Sequence, residues 1–228
     1  MDRVYRRQRH VYDWTRRYYL IGRDRLIRRL QLKPGDKAVE VGCGTARNLI
    51  AVARLYPGTR LFGLDASHAM LATAARAVSG ARLEERITLV QGYAEALSPE
   101  VLGEVRPLDC AIFSYSLSMI PDWRRALTAA IGSLSPAGRL HIVDFGDLSG
   151  LGRLGAGALR FWLRHFHVEP RAEILRALEG TAGGPQKPSG NLWISPGRYA
   201  FIWSGGPDQL SDLALTVVAA QPQAGGNS

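Results

Sequence analysis

The sequence predicts a doubly wound α/β fold, in which helices cover both faces of a mostly parallel sheet. Three observations support this prediction. A short apolar run, residues 38–41, ends in the turn Gly42-x-Gly44 and passes directly into a helical pattern. Further runs rich in β-branched residues alternate with helical patterns up to residue 145. Two aromatic runs joined by Pro196-Gly197 then predict an antiparallel hairpin.

The individual elements follow from hydrophobic period and turn residues. Strands are expected at about 37–41, 60–65, 87–91, 108–113 and 139–145, with the hairpin at 192–195 and 199–203. Helices are expected after the glycine turn to Leu55, at 68–78 with Ser67 as N-cap, at 121–134 and at about 171–180, with a helical turn beginning at 92–95.

The N-terminal segment differs from the rest of the chain. Residues 1–32 carry a seven-residue apolar and aromatic period and are expected to be helical. We therefore divide the chain into a basic helical arm at 1–34, an α/β domain at 35–205 with a lid or insert at about 147–190, and a tail at 206–228 that we expect to be partly disordered.

Charge is concentrated in the arm. Residues 1–37 hold twelve Lys and Arg against four Asp and Glu, a net charge of +8 out of the chain's +9. A nucleic-acid enzyme would more often carry positive charge around its cleft as well, so we expect the arm to touch an anionic membrane surface and expect no nucleic acid as partner. Because no apolar run could span a bilayer or form a secretion signal, the expected location is cytoplasmic, peripheral on the inner membrane face.

Two acids flank the glycine turn and indicate its ligand. Glu40 lies two residues before Gly42, and a carboxylate there would repel a pyrophosphate but suit a cationic group. Asp65 ends the next strand, the usual place for an acid that binds both ribose hydroxyls. Together they describe a nucleoside with a positively charged tail, which fits S-adenosylmethionine better than NAD.

This pattern resembles the cofactor motifs of class I S-adenosylmethionine-dependent methyltransferases. The resemblance implies a Rossmann-like sheet of seven strands with an antiparallel C-terminal hairpin. Two departures stand out: Ala46 replaces the usual third glycine, and Tyr93 replaces an Asp that often lies near the adenine amino group. The implied cofactor-binding residues are Glu40, Gly42, Cys43, Gly44, Asp65, Ala66, Tyr93, Ala94 and Ser114.

Other chemistries find little support in the sequence. We find no nucleophilic triad and no cluster with metal-ligand spacing, so no metal is expected. The two cysteines, Cys43 and Cys110, fall in or beside predicted core strands and are expected to be buried free thiols. The loop after the fourth strand lacks the Asn/Asp-Pro-Pro-aromatic motif of methyltransferases that act on exocyclic amines of bases.

A narrower resemblance lies outside the cofactor motifs. Four pieces look like bacterial betaine-lipid methyltransferases, which methylate the amine of diacylglyceryl-homoserine three times: residues 18–24, 113–121, 144–147 and 166–171. Related phosphatidylethanolamine N-methyltransferases share the fold, the cofactor motifs and a basic N-terminus. The resemblance implies a lipid-amine substrate, with phosphatidylethanolamine as the alternative and a nucleic-acid-binding module using the basic arm as the alternative of another class.

The expected product, a quaternary ammonium, indicates which side chains would line the acceptor site. Aromatic faces stabilise such a cation, and the candidates are Tyr18, Tyr19, Tyr115 and Trp162, although a packed core or lid role for each stays open. The homoserine carboxylate needs a cationic or donor partner, for which Arg171 or His167 could serve.

Overall fold

The fold is described from a computed structural model of the chain, which describes residues 20–164, 168, 170–181 and 192–219. In this part of the chain seven strands form one sheet in the spatial order β3-β2-β1-β4-β5-β7-β6. Strand β7 runs in the direction opposite to the other six. The strands are β1 (Lys37–Val41), β2 (Arg60–Asp65), β3 (Ile87–Gln91), β4 (Leu108–Ser114), β5 (Leu134–Phe145), β6 (Leu192–Ile194) and β7 (Ala200–Gly205). The predicted doubly wound fold with its antiparallel hairpin is therefore confirmed.

Helices cover both faces of the sheet. They are α1 (Arg23–Ile27), α2 (Arg47–Leu55), α3 (His68–Gly80), α4 (Trp123–Gly132), α5 (Gly152–Arg164), α6 (Ala172–Thr181) and α7 (Pro207–Ala219), with a short 3₁₀ turn at Ala94–Ala96. Helices α1, α2 and α3 pack on one face, with Leu163 of α5, while α4, α6 and α7 pack on the other. Successive residues of β7 point to opposite faces of the sheet. Phe201 packs with α4, α6 and α7, and Ile202 packs with α1, α2 and α3. None of the helices in the described segments is long and apolar enough to cross a membrane.

The prediction of a continuous helix over 1–32 is wrong in its described part. There only Arg23–Ile27 is helical, because Gly22 (φ 92°) and Gln31 (φ 56°) adopt left-handed backbone angles on either side. The segment is nevertheless anchored: Leu26 and Leu30 are each 1% exposed, and the Tyr56 hydroxyl donates to the Ile27 carbonyl at 2.9 Å. Residues 1–19, which include Tyr18 and Tyr19, lie outside the described residues.

Three further differences concern the second half of the chain. Strand β5 begins at Leu134 rather than at about 139, because a register shift between Leu108 and Cys110 lets the Pro136-Ala137-Gly138 segment bulge within the strand. Helix α5 forms inside the region expected to be an irregular insert, and α7 forms inside the expected tail, with Leu210 and Leu213 buried in the core. Residues 182–191 and 220–228 lie outside the described residues.

Candidate active site

A cavity opens at the carboxyl ends of β1 and β4, where the strand order reverses. In doubly wound sheets this switch point is the usual ligand site, because the connections leave in opposite directions and open a crevice. The cavity measures about 230 Å³. Its lining comes from the N-terminal segment, the glycine turn, the start of α2 and the end of β4: Leu20, Arg23, Glu40, Gly42, Cys43, Gly44, Thr45, Arg47, Asn48 and Ser114.

Glu40 places a carboxylate at the wall of this cavity. Its side chain is 2% exposed, and Oε1 accepts a hydrogen bond of 2.6 Å from Nδ2 of Asn48 in the first turn of α2. Such a bond fixes the orientation of the carboxylate toward a ligand. Asn48 was missed in the sequence, although a polar residue in the helical turn that follows a glycine loop is a usable signal.

The glycine turn is shaped by steric and backbone demands. Gly42 has φ 74°, and a Cβ at this position would lie 2.6 Å from Cβ of Ser116. The N–H groups of Gly42 and Cys43 both donate to the Leu64 carbonyl, at 2.8 and 3.1 Å, which ties the turn to the end of β2. Ala46 has φ 59°, so it adopts the angles of the usual third glycine at a cost of about 1–2 kcal/mol.

Asp65 holds the other side of the turn. Its Oδ2 accepts from the Gly44 N–H at 2.7 Å, and its Oδ1 accepts from the Ser67 N–H at 2.9 Å. The acid is therefore fixed at the end of β2, and a carboxylate oxygen can accept more than one hydrogen bond, as binding of a ribose hydroxyl would require. Ser67 also caps α3 as predicted, since its side chain accepts from the Met70 N–H.

The remaining predicted cofactor residues lie around this acid. Ala66 is exposed beside Asp65, and the Gly92 N–H donates to the Asp65 carbonyl at 3.1 Å, which brings the end of β3 close. Tyr93 is 72% exposed, and Ala94 begins the 3₁₀ turn next to it. Ser114 lines the cavity at the end of β4, and its hydroxyl has no hydrogen-bond partner within the described segments.

The two thiols are buried, as expected. Burial raises the pKa of Cys43 and of Cys110 well above the usual value for a thiol, so both stay protonated near neutral pH. The Cys43 sulfur packs under β2, where a Cβ on Gly63 would approach it to 2.8 Å. We find no group of metal-ligating side chains within the residues that the structure describes.

Tyr115 does not line the cavity, contrary to the prediction. The residue is 3% exposed, its ring packs edge-on against Phe145 at 4.8 Å, and its hydroxyl donates to the Ile21 carbonyl at 2.5 Å. The reason is the backbone: with φ 56°, Tyr115 turns its side chain from the end of β4 into the core under the N-terminal segment. Its role is to hold that segment beside the cavity.

A buried carboxylate that the sequence analysis did not select lies next to this loop. Asp144, at the end of β5, accepts from the Ser118 N–H at 3.0 Å and from its neighbour Phe145 at 2.7 Å. Burial raises the pKa of Asp144 to about 6, although hydrogen bonds from Ser118 and from backbone N–H groups oppose that shift. The acid thus fixes the loop after β4 to the end of β5.

Of the two candidates for binding the carboxylate, Arg171 is not brought to the cavity. Arg171 is half-buried just before α6, and the ion pair between Arg124 and Glu173 (2.7 Å) places this end of α6 beside the start of α4. Arg171 is not part of the cavity lining. His167 lies outside the described residues.

Comparison with known proteins agrees with this geometry. Residues 38–138 match the family described as "Methyltransferase domain". The matched residues include the glycine turn, Glu40 and Asp65. Among curated relatives, the ubiquinone/menaquinone biosynthesis C-methyltransferase of Syntrophotalea carbinolica is 30% identical over 165 residues, covering 70% of this chain and 65% of that protein. The demethylmenaquinone methyltransferase of Lactobacillus johnsonii is 29% identical over 123 residues, covering 54% of this chain and 49% of that protein. The chain thus spans about half the length of the first curated relatives that it matches.

Solved structures show the same fold at low identity. A methyltransferase from Aquifex aeolicus aligns with a TM-score of 0.58 at 15% identity and covers 84% of this chain and 92% of its own. The phosphoethanolamine N-methyltransferase 2 of Haemonchus contortus aligns with a TM-score of 0.55 at 20% identity, covering 68% of this chain and 34% of its own. Methyltransferases of this class use S-adenosylmethionine, and the turn, Glu40 and Asp65 supply a donor set that fits it.

Proposed function

We propose that this methyltransferase transfers methyl groups from S-adenosylmethionine to the amine of diacylglyceryl-homoserine, three in succession, to give a betaine lipid. One observation carries the proposal. Three of the segments on which the betaine-lipid resemblance rests meet at one end of the cofactor cavity. Tyr115 in the loop after β4 binds Ile21 in the N-terminal segment, and Ser118 of that loop binds Asp144 at the end of β5.

The convergence matters because these segments lie far apart in sequence and outside the glycine turn. Leu20 and Arg23 from the first segment and Ser114 from the second line the cavity itself. A methyl transfer needs a cofactor held on one side and an acceptor presented in line on the other. The cofactor motifs that this chain shares with other methyltransferases would hold the cofactor. We therefore assign the presentation of the acceptor to the segments that resemble the betaine-lipid enzymes.

The residues of the chain have distinct tasks in this reaction. The cofactor supplies a methyl group activated by the positive charge on its sulfur. The Glu40 carboxylate, held by Asn48, would complement the cationic end of the cofactor, while Asp65, held by the Gly44 N–H, would accept from the ribose hydroxyls. The turn at Gly42 brings the backbone close without a side chain in the way, because a Cβ there would strike Ser116.

A lipid acceptor also requires access to a bilayer, and α5 offers a surface for it. Leu154 is 91% exposed and Phe161 is 81% exposed, and the seven-residue spacing places both on one face of the helix. Leu151 and Trp162 are exposed beside them. Because α5 follows the carboxyl end of β5, it begins on the side of the sheet where the cavity opens. We propose that this face and the basic N-terminal arm dock the enzyme on an anionic membrane surface.

A second candidate function is C-methylation of a quinone, because several curated relatives are named for that activity. Phosphatidylethanolamine is the third acceptor to compare. Lipid mass spectrometry tests all three in one experiment, using a host that carries this gene together with a source of diacylglyceryl-homoserine. We expect mono-, di- and trimethylated homoserine lipid, and none from an Asp65→Ala variant. Methylated quinone or phosphatidylethanolamine without methylated homoserine lipid would overturn the proposal.

A further inference from the structure

A second cavity, of about 390 Å³, adjoins the cofactor cavity. The two share Leu20, Arg23 and Arg47 in their linings, so no other layer of residues separates them at that wall. The rest of the second cavity comes from residues 21–22, from α1, including Arg25, and from Trp193 of β6. A group bound in the second cavity would therefore lie directly beside one bound in the first.

The second cavity is strongly cationic. Its lining contains three arginines and a single acid, Asp24. Of the ion pairs found between described residues, none involves Arg25 or Arg47. Other partly exposed arginines are paired, as in the Arg198 pairs with Asp147 and Glu179. Guanidinium groups that line one cavity, as those of Arg25 and Arg47 do, repel one another, and an anionic ligand between them relieves that repulsion.

Trp193 fixes the orientation of one of these groups. The Arg25 guanidinium lies 4.7 Å from the centre of the Trp193 ring, and Trp193 itself is held in β6 by pairing with Ile202 of β7. Stacking on an aromatic face orders a guanidinium while leaving its N–H edges free to donate. Those edges match the two oxygens of a carboxylate, which Arg binds in a bidentate manner.

We infer that this second cavity, centred on Arg25 and Arg47, binds the carboxylate of the acceptor's headgroup. The inference rests on the proposed function. In a homoserine headgroup the amine and the carboxylate are attached to the same carbon, so the carboxylate must bind next to the point of methyl transfer. The shared wall of the two cavities meets that requirement. This assignment replaces Arg171 as the carboxylate partner, since Arg171 lines neither cavity.

The test compares two acceptors with two variants. Arg25→Gln and Arg47→Gln remove one cation each, and Arg28→Gln, an exposed arginine at the end of α1 outside both cavity linings, is the matched control. The acceptors are diacylglyceryl-homoserine and its carboxyl methyl ester, presented in the same neutral vesicles. For the free acid we expect KM to rise about ten- to a hundred-fold in Arg25→Gln, the loss of one charge-assisted hydrogen-bonding partner. For the ester we expect wild type and Arg25→Gln to have the same KM.

Two accompanying measurements show whether the arginines bind the carboxylate of the acceptor or that of the cofactor. We expect the affinity for S-adenosylhomocysteine, measured by calorimetry, to stay within about two-fold of wild type in Arg25→Gln. A loss there equal to the loss in KM would mean that the arginines serve the cofactor's carboxylate, and would overturn the inference. Trp193→Leu should produce a smaller rise in KM for the acid, because the guanidinium stays but is no longer ordered.

Failure of the inference is distinguishable from failure of the proposed function. If wild type methylates the homoserine lipid and Arg25→Gln and Arg47→Gln behave like Arg28→Gln, the carboxylate binds elsewhere and only the inference is wrong. Equal effects of Arg25→Gln on the acid, on the ester and on phosphatidylethanolamine would also overturn it, because the group recognised would then not be the carboxylate. If wild type methylates no homoserine lipid at all, the proposed function fails and the inference fails with it.

Discussion

The hydroxyl of Tyr115 donates a hydrogen bond of 2.5 Å to the backbone carbonyl of Ile21. This contact joins the loop after β4 to the N-terminal segment, ninety-four residues earlier in the chain. Leu20 and Arg23, on either side of Ile21, line both cavities. The buried Tyr115 hydroxyl therefore helps to fix the position of the cavity wall.

Tyr115→Phe should remove that contact while keeping the ring against Phe145. We expect a loss of about 1 kcal/mol in the free energy of unfolding, measured in urea, and a lower rate of methyl transfer. Tyr56→Phe is the control, because its hydroxyl binds the Ile27 carbonyl of the same segment away from both cavities. Comparable destabilisation in both variants with a loss of activity only in Tyr115→Phe would confirm the role, whereas full activity in Tyr115→Phe would contradict it.

Asp65→Asn should weaken cofactor binding while leaving the turn folded, because the single amide oxygen still accepts from one of the Gly44 and Ser67 N–H groups. Loss of the charged partner for the ribose hydroxyls should reduce affinity by about 1.5–3 kcal/mol in calorimetry with S-adenosylhomocysteine. Asp65→Ala should lose more, since the Gly44 and Ser67 N–H groups would also lose their acceptors. Asp36→Asn, which alters a turn acid bonded to the Lys33 N–H, is the control and should bind normally. Unchanged affinity in a folded Asp65→Asn variant would remove Asp65 from the cofactor site.

Gly42→Ala should combine two penalties, a strained backbone at φ 74° and a clash with Ser116. Together we expect about 2–4 kcal/mol of destabilisation and no detectable cofactor binding. Gly35→Ala isolates the backbone penalty, because its φ is 91° and nothing lies within 4 Å of an added Cβ. It should cost only about 1–2 kcal/mol. If the two alanine variants lose the same stability, the close approach at Gly42 has no energetic importance.

His141 and Asp144 should give opposite pH dependences of stability. Burial raises the pKa of Asp144 from 3.8 to about 6, so the folded state binds its proton more tightly and stability falls as pH rises through that window. Burial lowers the pKa of His141 from 6.5 to about 4, so the folded state excludes its proton and stability rises with pH between those values. Each pKa shift changes the free energy of unfolding by up to about 3 kcal/mol over its pH window. The two changes have opposite signs, so they should largely cancel in wild type.

Single variants should reveal each contribution. Relative to wild type, Asp144→Asn should become more stable as pH rises from about 4 to 6, because only the pH dependence contributed by His141 remains. His141→Gln should become less stable over the same pH range, because only the pH dependence contributed by Asp144 remains. Urea titrations at several pH values measure both slopes. Parallel pH profiles in all three proteins would show that neither group titrates in this window.

The exposed face of α5 should contribute to membrane binding. The double variant Leu154→Ser, Phe161→Ser should bind anionic vesicles at least about ten-fold less tightly, because each side chain would otherwise bury its apolar area in lipid. Val105→Ser is the control: that residue is 94% exposed but precedes β4, at the opposite edge of the sheet. Equal binding by both variants would exclude α5 from the docking surface.

The basic arm makes a separate, electrostatic prediction. Binding should rise with the fraction of anionic lipid, fall with added salt, and fall again when Arg6, Arg7, Arg9 and Arg16 are replaced by Gln, since each arginine near an anionic surface contributes about 1 kcal/mol. Co-sedimentation with vesicles measures all three effects. Binding that ignored salt and lipid charge would argue against the electrostatic part of docking.

The elements around the cofactor were predictable because their signals are local. Strands β1 to β4 are short apolar runs bounded by turns, and Glu40, Gly42, Gly44 and Asp65 occur at fixed spacing from them. Helix α5 was missed because its glycines have low helix propensity and its apolar face is exposed, so neither propensity nor burial distinguishes it from a loop.

The parts of the site that could not be predicted depend on long-range packing. Tyr115 has the right residue type and position for an acceptor site, but its left-handed backbone angle directs it into the core. Arg25 and Trp193 meet only because β6 and β7 return to the edge of the sheet near the N-terminal segment. No spacing rule in the sequence encodes such a contact.

The central claim is that this chain methylates the amine of diacylglyceryl-homoserine, and a competition assay tests it most directly. The purified protein would receive S-adenosylmethionine with a deuterated methyl group and vesicles containing equal amounts of diacylglyceryl-homoserine, phosphatidylethanolamine and a demethylated menaquinol. Fragmentation mass spectrometry would then locate the label. We predict one to three labelled methyl groups on the homoserine nitrogen and none on the other two acceptors. Label on the quinol ring or on ethanolamine, with the homoserine lipid unlabelled, would contradict the account.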